Sequence, residues 1–171
     1  MRLYPRTHDV SCGIDLHART MYLCILDRAG QTLLHRNLPT RPEALLDALA
    51  PFRSADLVVG CECLFAWYWL ADLCEREGIP FALGHALGMR SIHGLKTKSD
   101  KLDSWKIAQL LRGGNFPCAY VYPRRFRATR DLLRRIADTM RKTAGIEPPP
   151  PAAPVAPGAP GQPGQPGDPR R

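Results

Sequence analysis

The order of the apolar segments constrains the fold of this chain more than any other feature. Residues 10–17 alternate apolar and polar side chains, and residues 20–26 form a wholly apolar run. A turn signal, Asp27-Arg28-Ala29-Gly30, then leads into residues 31–37. These patterns predict three strands joined as an antiparallel meander.

After the meander, helical and strand patterns alternate. We predict a helix opened by Pro42, a short buried strand at residues 57–59, a helix ending at Gly78, a strand at residues 80–83 and a helix at residues 100–112. Because crossover helices must cover the faces of a sheet, this order predicts an α/β fold with a mixed sheet flanked by helices.

The composition changes abruptly near the C-terminus. From Pro148 onward, 10 of the 24 residues are Pro, and no large apolar residue follows Val155. Such a segment cannot bury enough surface to offset its loss of conformational entropy. We therefore expect a globular domain over residues 8–122, the start of a basic coiled-coil helix over 123–145 and a disordered Pro/Gly-rich tail over 146–171.

The formal net charge of +8 favours an anionic partner such as nucleic acid, although general solubility is an alternative explanation. The six cysteines lack zinc-site spacing and lie mostly in apolar runs, as reduced cysteines do. No signal peptide or transmembrane run is visible. We expect a cytoplasmic protein with no membrane partner.

Four acids are candidates for a functional site. Asp15 lies in the middle of the first strand, Glu62 follows the short buried strand, and Asp100 and Asp103 share one face of a helix. Each has a structural alternative. Asp15 could be a hydrogen-bonded buried acid, Glu62 could stabilise a helix dipole, and Asp100 could be an N-cap with Asp103 as its reciprocal partner.

Taken together, the four acids indicate a metal site. A strand, a strand end and a helix turn can bring their carboxylates to one pair of divalent cations. Two metals about 4 Å apart are what phosphodiester chemistry uses. Hard oxygen ligands favour Mg²⁺ or Mn²⁺.

Several motifs extend this pattern along the chain. They are Gly13-Ile14-Asp15-Leu16-His17, Glu62 before Trp67-Tyr68-Trp69, Lys98-Ser99-Asp100-Lys101-Leu102-Asp103, residues 106–114, Tyr120-Val121-Tyr122-Pro123 and residues 130–135. In this order they resemble the DEDD-type insertion-sequence transposases (insertion-sequence family one hundred and ten), from about residue 10 to residue 142.

The resemblance implies a fold like those of ribonuclease H and the Holliday-junction resolvases. It also implies that Asp15, Glu62, Asp100 and Asp103 are the catalytic, metal-binding quartet. Members of the family excise and insert their element and are thought to use a structured guide RNA to choose DNA targets, which would associate this protein with the bacterial nucleoid.

Family members also carry a C-terminal domain with a catalytic serine. Here the Pro-rich tail stands in its place, as a frameshift would produce. We therefore expect a truncated transposase, and whether this chain is itself an enzyme stays open.

Residues 124–142 hold seven Arg, one Lys and two Asp, a net charge of +6. Phe126, Leu133 and Met140 recur every seven residues with Ile136 between them, which is typical of a coiled-coil seam and, in the family, of self-association. The candidate nucleic-acid contacts are Lys96, Lys98, Lys101, Arg127, Arg130, Arg134 and Arg141. The alternative is a solvated basic face on a coiled-coil helix.

Two other functions are weighed against DNA transposition. The first is a non-catalytic remnant that binds nucleic acid or interferes with full-length transposase. The second is an actin-like ATPase, which is less favoured because the sequence shows no second Gly-rich phosphate loop. Among the histidines, His17 is a modest candidate for a role near the acids, whereas His85 and His93 are interpreted as ordinary residues.

Overall fold

The structure, a computed structural model, describes residues 2–63, 66–93 and 99–145, with residues 90–93 described by their backbone alone. Five strands form one sheet: β1 Val10–Leu16, β2 Thr20–Asp27, β3 Thr32–Pro39, β4 Leu57–Glu62 and β5 Phe81–Gly84. Their spatial order is β3-β2-β1-β4-β5. The first three strands are antiparallel, and β1, β4 and β5 are parallel. The predicted meander and mixed sheet are confirmed.

Within the described ranges, five helices accompany the sheet: α1 Pro42–Leu49, α2 Trp67–Arg76, α3 Ala86–His93, α4 Asp100–Arg112 and α5 Arg124–Thr143. A 3₁₀ turn, Ala50–Phe52, continues α1. α3 was not expected from the sequence, because it is short and contains Gly88, a residue of low helix propensity. None of the helices in the described part of the chain is both long and apolar enough to cross a membrane.

The predicted alternation along β1 is confirmed, because its two sets of side chains face different layers. Cys12 and Ile14 lie in the larger core, which α1 and α2 cover with side chains such as Leu45, Trp67 and Leu70. The opposite face carries Ser11, Gly13 and Asp15, and α4 packs across it. The acid of the first strand therefore points toward α4.

Two glycines allow α4 to lie directly on the sheet. A Cβ added at Gly13 would stand 2.3 Å from both the Ala108 nitrogen and the Ser104 oxygen, which are backbone atoms of α4. A Cβ at Gly60, the partner of Gly13 on β4, would stand 2.7 Å from Leu111 Cδ1. This contact fixes the height and direction of α4, so that its first turn lies at the carboxyl end of β1.

The N-terminal segment and the residues after α4 are tied together. Leu3 bridges to Pro117, and Gly84 at the end of β5 bridges to Cys118. The buried His8 accepts or donates at both ring nitrogens, 2.8 Å from Asp56 Oδ1 and 2.9 Å from the Tyr4 hydroxyl. The domain thus joins its earliest residues to a segment beyond residue 115.

Candidate metal centre and basic helix

Asp15 is the most deeply placed of the four acids, and only 9% of its surface is exposed. Burial raises the pKa of its carboxyl group. The nearby His17 imidazole offsets part of this increase, and Asp100 and Asp103 add to it. A buried carboxylate beside two others is unfavourable unless a cation or a hydrogen bond compensates it.

The first turn of α4 supplies the next two acids. Ser99 is the N-cap of the helix, because its hydroxyl oxygen accepts a hydrogen bond from the Leu102 nitrogen at 3.2 Å. The alternative role of Asp100 as N-cap is therefore wrong. Asp100 Oδ1 lies 3.5 Å from His17 Nε2, and Asp103 Oδ1 lies 3.7 Å from Lys106 Nζ. The positive end of the α4 dipole stabilises both carboxylates at this position.

Glu62 reaches the same face through the register of the sheet. It is the last residue of β4, which ends three residues later than predicted, because Gly60 and Cys61 continue the pairing with β1 instead of ending it. Gly13 pairs with Gly60 under α4. Asp15 and Glu62 each follow two residues later, so they lie on the same face of neighbouring parallel strands about 4.8 Å apart.

The arrangement can therefore hold a divalent cation. One donor atom from each of Asp15, His17 and Asp100 lies within 4.8 Å of the others. Carboxylate oxygens and an imidazole nitrogen are the donors that such cations take in proteins. His17 was only a modest candidate in the sequence. The signal that could have raised it is its spacing of two residues from Asp15, which puts both side chains on one face of a strand.

The residues expected to contact nucleic acid differ in their surroundings. Lys96 and Lys98 lie outside the described residues. Lys101 is exposed in the first turn of α4, beside the acids. Arg134 and Arg141 are exposed on the outer half of α5, although Arg141 also pairs with Asp138.

Arg127 has a different environment and is 7% exposed. Its guanidinium forms an ion pair with Asp72 of α2 at 2.7 Å and donates to the Tyr122 carbonyl oxygen at 2.9 Å. The same group lies over the Tyr68 ring, 4.9 Å from the ring centre. The nucleic-acid role expected for Arg127 does not fit this placement, because each nitrogen of the guanidinium has a partner within the domain.

Arg130 forms a second attachment of α5. It donates to the Tyr68 hydroxyl at 2.9 Å and pairs with Asp131 at 3.0 Å. Tyr68 in turn donates to Asp131 at 2.6 Å, and this hydrogen bond, followed by those from Arg130, lowers the pKa of Asp131. Arg130 is therefore largely satisfied within the protein.

These attachments also set the direction of α5. Arg127 contacts Asp72, whereas Arg130 contacts Tyr68 and approaches Cys63, so α5 runs antiparallel to α2 toward the carboxyl end of β4. From residue 132 onward every described residue of the helix is exposed. At about 1.5 Å per residue, the last ten residues of α5 form a segment roughly 15 Å long.

The apolar seam predicted on this helix faces solvent. Phe126, Leu133, Ile136 and Met140 are all exposed. The seam therefore contributes nothing to the core of the domain, and the projecting half of α5 carries both an apolar and a basic surface.

The strand order 3-2-1-4-5, with antiparallel strands first and parallel strands after, is that of the ribonuclease-H-like fold. Acids on the central strand, on its parallel neighbour and on the helix packed across them then define a domain whose carboxylates are arranged to take a divalent metal. The family model of the DEDD transposases of the IS110 group, described as a transposase, matches residues 12–145, and the chain belongs to this family. Its function is accordingly in DNA transposition.

Other comparisons add less. No curated protein matches the chain. Among solved structures, it is similar to T. thermophilus RuvC in complex with a Holliday junction substrate, with 15% sequence identity and a TM-score of 0.46. That similarity covers 66% of this chain and 100% of the other.

Proposed function

We propose that this chain carries out metal-dependent cleavage and transfer of DNA strands, with Mg²⁺ or Mn²⁺ held by Asp15, Glu62, Asp100 and Asp103. The observation that carries the proposal is the meeting of a buried carboxylate, Asp15, with Asp100 from the helix that crosses it. When bound, a metal pair polarises the phosphodiester and stabilises the attacking and leaving oxygens.

The chain's own residues supply the positioning. Asp15 and Glu62 belong to a rigid sheet, and α4 rests on glycine backbone, so the carboxylates are held in place before the metal binds. Lys106 orients the Asp103 carboxylate. Lys101, exposed in the same turn of α4, would contact a phosphate oxygen of the bound strand.

The proposed partner is DNA, together with a structured guide RNA from the element, which would place the protein at the nucleoid. The net charge and the projecting basic half of α5 support a nucleic-acid partner. The exposed seam of that half supports self-association through residues 124–142, because paired helices would cover its apolar side chains.

Cleavage is tested with Glu62→Gln, which keeps the side-chain volume but removes the charge. We expect the wild type to nick supercoiled DNA only when Mg²⁺ or Mn²⁺ is present, and the variant to nick at least about 100-fold more slowly, since a lost metal ligand costs several kcal/mol of transition-state stabilisation. Glu43→Gln is the matched control, because Glu43 is exposed on α1, on the other side of the sheet. DNA binding by the wild type without any nicking would instead support a non-catalytic remnant.

The basic half of α5 is tested by the salt dependence of DNA binding. Replacing Arg134 and Arg141 with Gln should lower the log-log slope by up to about 1.8, because each neutralised phosphate releases about 0.9 counterions. Arg76→Gln is the control, since Arg76 is exposed at the far end of α2. An unchanged slope in the double variant would show that α5 does not contact phosphates.

Arg127→Gln, by contrast, should lower the thermal midpoint because it leaves Asp72 without its partner.

A further inference from the structure

His17 stands at the point where β1 leaves the sheet, and its ring faces two of the proposed metal ligands. Its Nε2 atom lies 3.2 Å from Asp15 Oδ2 and 3.5 Å from Asp100 Oδ1. Residues 15 and 17 share one face of the strand, and Asp100 arrives from α4 above them. The imidazole is therefore a third donor in the same small volume.

The backbone of His17 is held on both sides. Its nitrogen donates to the Thr20 carbonyl oxygen at 3.0 Å, which closes the hairpin to β2. Its carbonyl oxygen accepts a hydrogen bond from the Thr40 hydroxyl at 2.8 Å, just beyond the end of β3. Because both polar groups of the main chain are engaged, the ring has a fixed base from which to reach the carboxylates.

The separations of the donor atoms fit a six-coordinate ion. At a metal–ligand distance of about 2.1 Å, adjacent ligands lie about 3.0 Å apart and opposite ligands about 4.2 Å apart. The two distances from His17 Nε2 match adjacent positions, and the three donors all lie within 4.8 Å of one another. The site is therefore close to the size that such an ion requires.

We propose that His17 Nε2 is a ligand of the cation bound by Asp15 and Asp100, and that it gives the site a mixed nitrogen and oxygen donor set. Mn²⁺ accepts an imidazole nitrogen more readily than Mg²⁺, which is smaller and loses its waters reluctantly, so the site prefers Mn²⁺ to Mg²⁺. This inference rests on the proposed function, because it concerns the same metal centre.

If His17 has a purely structural role, a different metal preference is expected. In that role Nε2 carries a hydrogen and donates it to the two carboxylates, which leaves the ring unable to bind a metal through that atom. The metal would then have only oxygen ligands, and its preference between Mn²⁺ and Mg²⁺ would not depend on His17.

Pulsed electron paramagnetic resonance of Mn²⁺ bound to the full chain distinguishes the two roles. We expect a nitrogen coupling in the wild type that changes when the protein's histidines carry ¹⁵N and that disappears in His17→Gln. His85→Gln is the control, because His85 is an exposed histidine outside the three-residue group. Bound Mn²⁺ without nitrogen coupling, or coupling lost in the control instead, would overturn the role of His17.

Binding constants give a second readout. His17→Gln should weaken Mn²⁺ binding about tenfold or more and weaken Mg²⁺ binding by a smaller factor. An equal loss for both ions would contradict the proposed preference. Absence of Mn²⁺ binding to the wild type, with the fold intact by circular dichroism, would remove the metal site itself and with it the proposed function.

Discussion

Asp15→Asn is expected to abolish divalent-metal binding and, in the same protein, to raise the thermal midpoint measured without metal. The carboxylate of Asp15 is buried beside Asp100 and Asp103, and burial raises its pKa. The amide of Asn keeps the shape but removes the charge, so the repulsion disappears together with the ligand. Stability and metal binding should therefore change in opposite directions.

The pH dependence of stability follows from the same shift. The folded protein holds the Asp15 proton more tightly than the unfolded chain does. The folded state is therefore more stable when the Asp15 carboxyl is protonated than when it is ionised. The contribution of this group is lost as the pH rises from the ordinary pKa of 3.8 through the raised value in the folded state. Asp15→Asn should remove that decline.

Isothermal titration with Mn²⁺ measures the first effect, and calorimetric unfolding without metal, from acidic to neutral pH, measures the second. Asp47→Asn is the control because Asp47 is exposed on α1. Equal metal affinity in Asp15→Asn and in the wild type would reject Asp15 as a ligand. A lower midpoint in the variant at neutral pH would show that the carboxylate stabilises the apo protein.

Gly13→Ala should have the largest effect on stability. The new methyl group would stand 2.3 Å from two backbone atoms of α4, and backbone atoms cannot rotate away as a side chain can. Relief requires that α4 move off the sheet, which also separates Asp100 and Asp103 from Asp15. We expect a loss of about 3 kcal/mol, roughly 10 °C in the thermal midpoint, together with weaker metal binding.

Gly78→Ala provides the matched control. Gly78 has a φ of +66°, and nothing lies within 4 Å of its added Cβ, so alanine there meets only backbone strain of about 1 kcal/mol. The double variant with Ala108→Gly should not rescue Gly13→Ala, because the clash is with main-chain atoms. Gly13→Ala with full stability would mean that α4 does not pack on β1 at this distance.

The part of the candidate site that lies on the strands can largely be predicted from the sequence. The alternation around Asp15 predicts its face, because side-chain direction in a strand has a period of two. Its burial comes from α4, which packs across that face. The sequence predicted Glu62 after the end of β4, whereas it is the last residue of that strand. Gly60 resembles a strand end in the sequence, and only its pairing with Gly13 shows that the strand continues. The approach of α4 to these glycines depends on pairings between distant residues, which no local pattern contains.

The basic helix α5 shows a second limit of prediction from the sequence. Charge counting treats all the arginines of α5 alike, yet Arg127 is buried against Asp72 while Arg134 is exposed. The difference arises because α2 lies beside the first half of α5 only. Helical periodicity gives the angle of a side chain about the axis, but it does not show which stretch of the helix meets a partner from elsewhere in the chain.

The covering of Asp15 by α4 has a consequence during synthesis. Residues near the N-terminus leave the ribosome first, so the strands of the meander can pair early. The side chains that face α4 remain exposed to water until residues 100–112 have also emerged. The N-terminal segment can pair only later, when Pro117 has emerged. The nascent chain therefore passes through a stage in which Asp15 is fully hydrated and has no acid from α4 beside it. A partly made chain therefore lacks the carboxylates of α4 and cannot form the proposed metal centre.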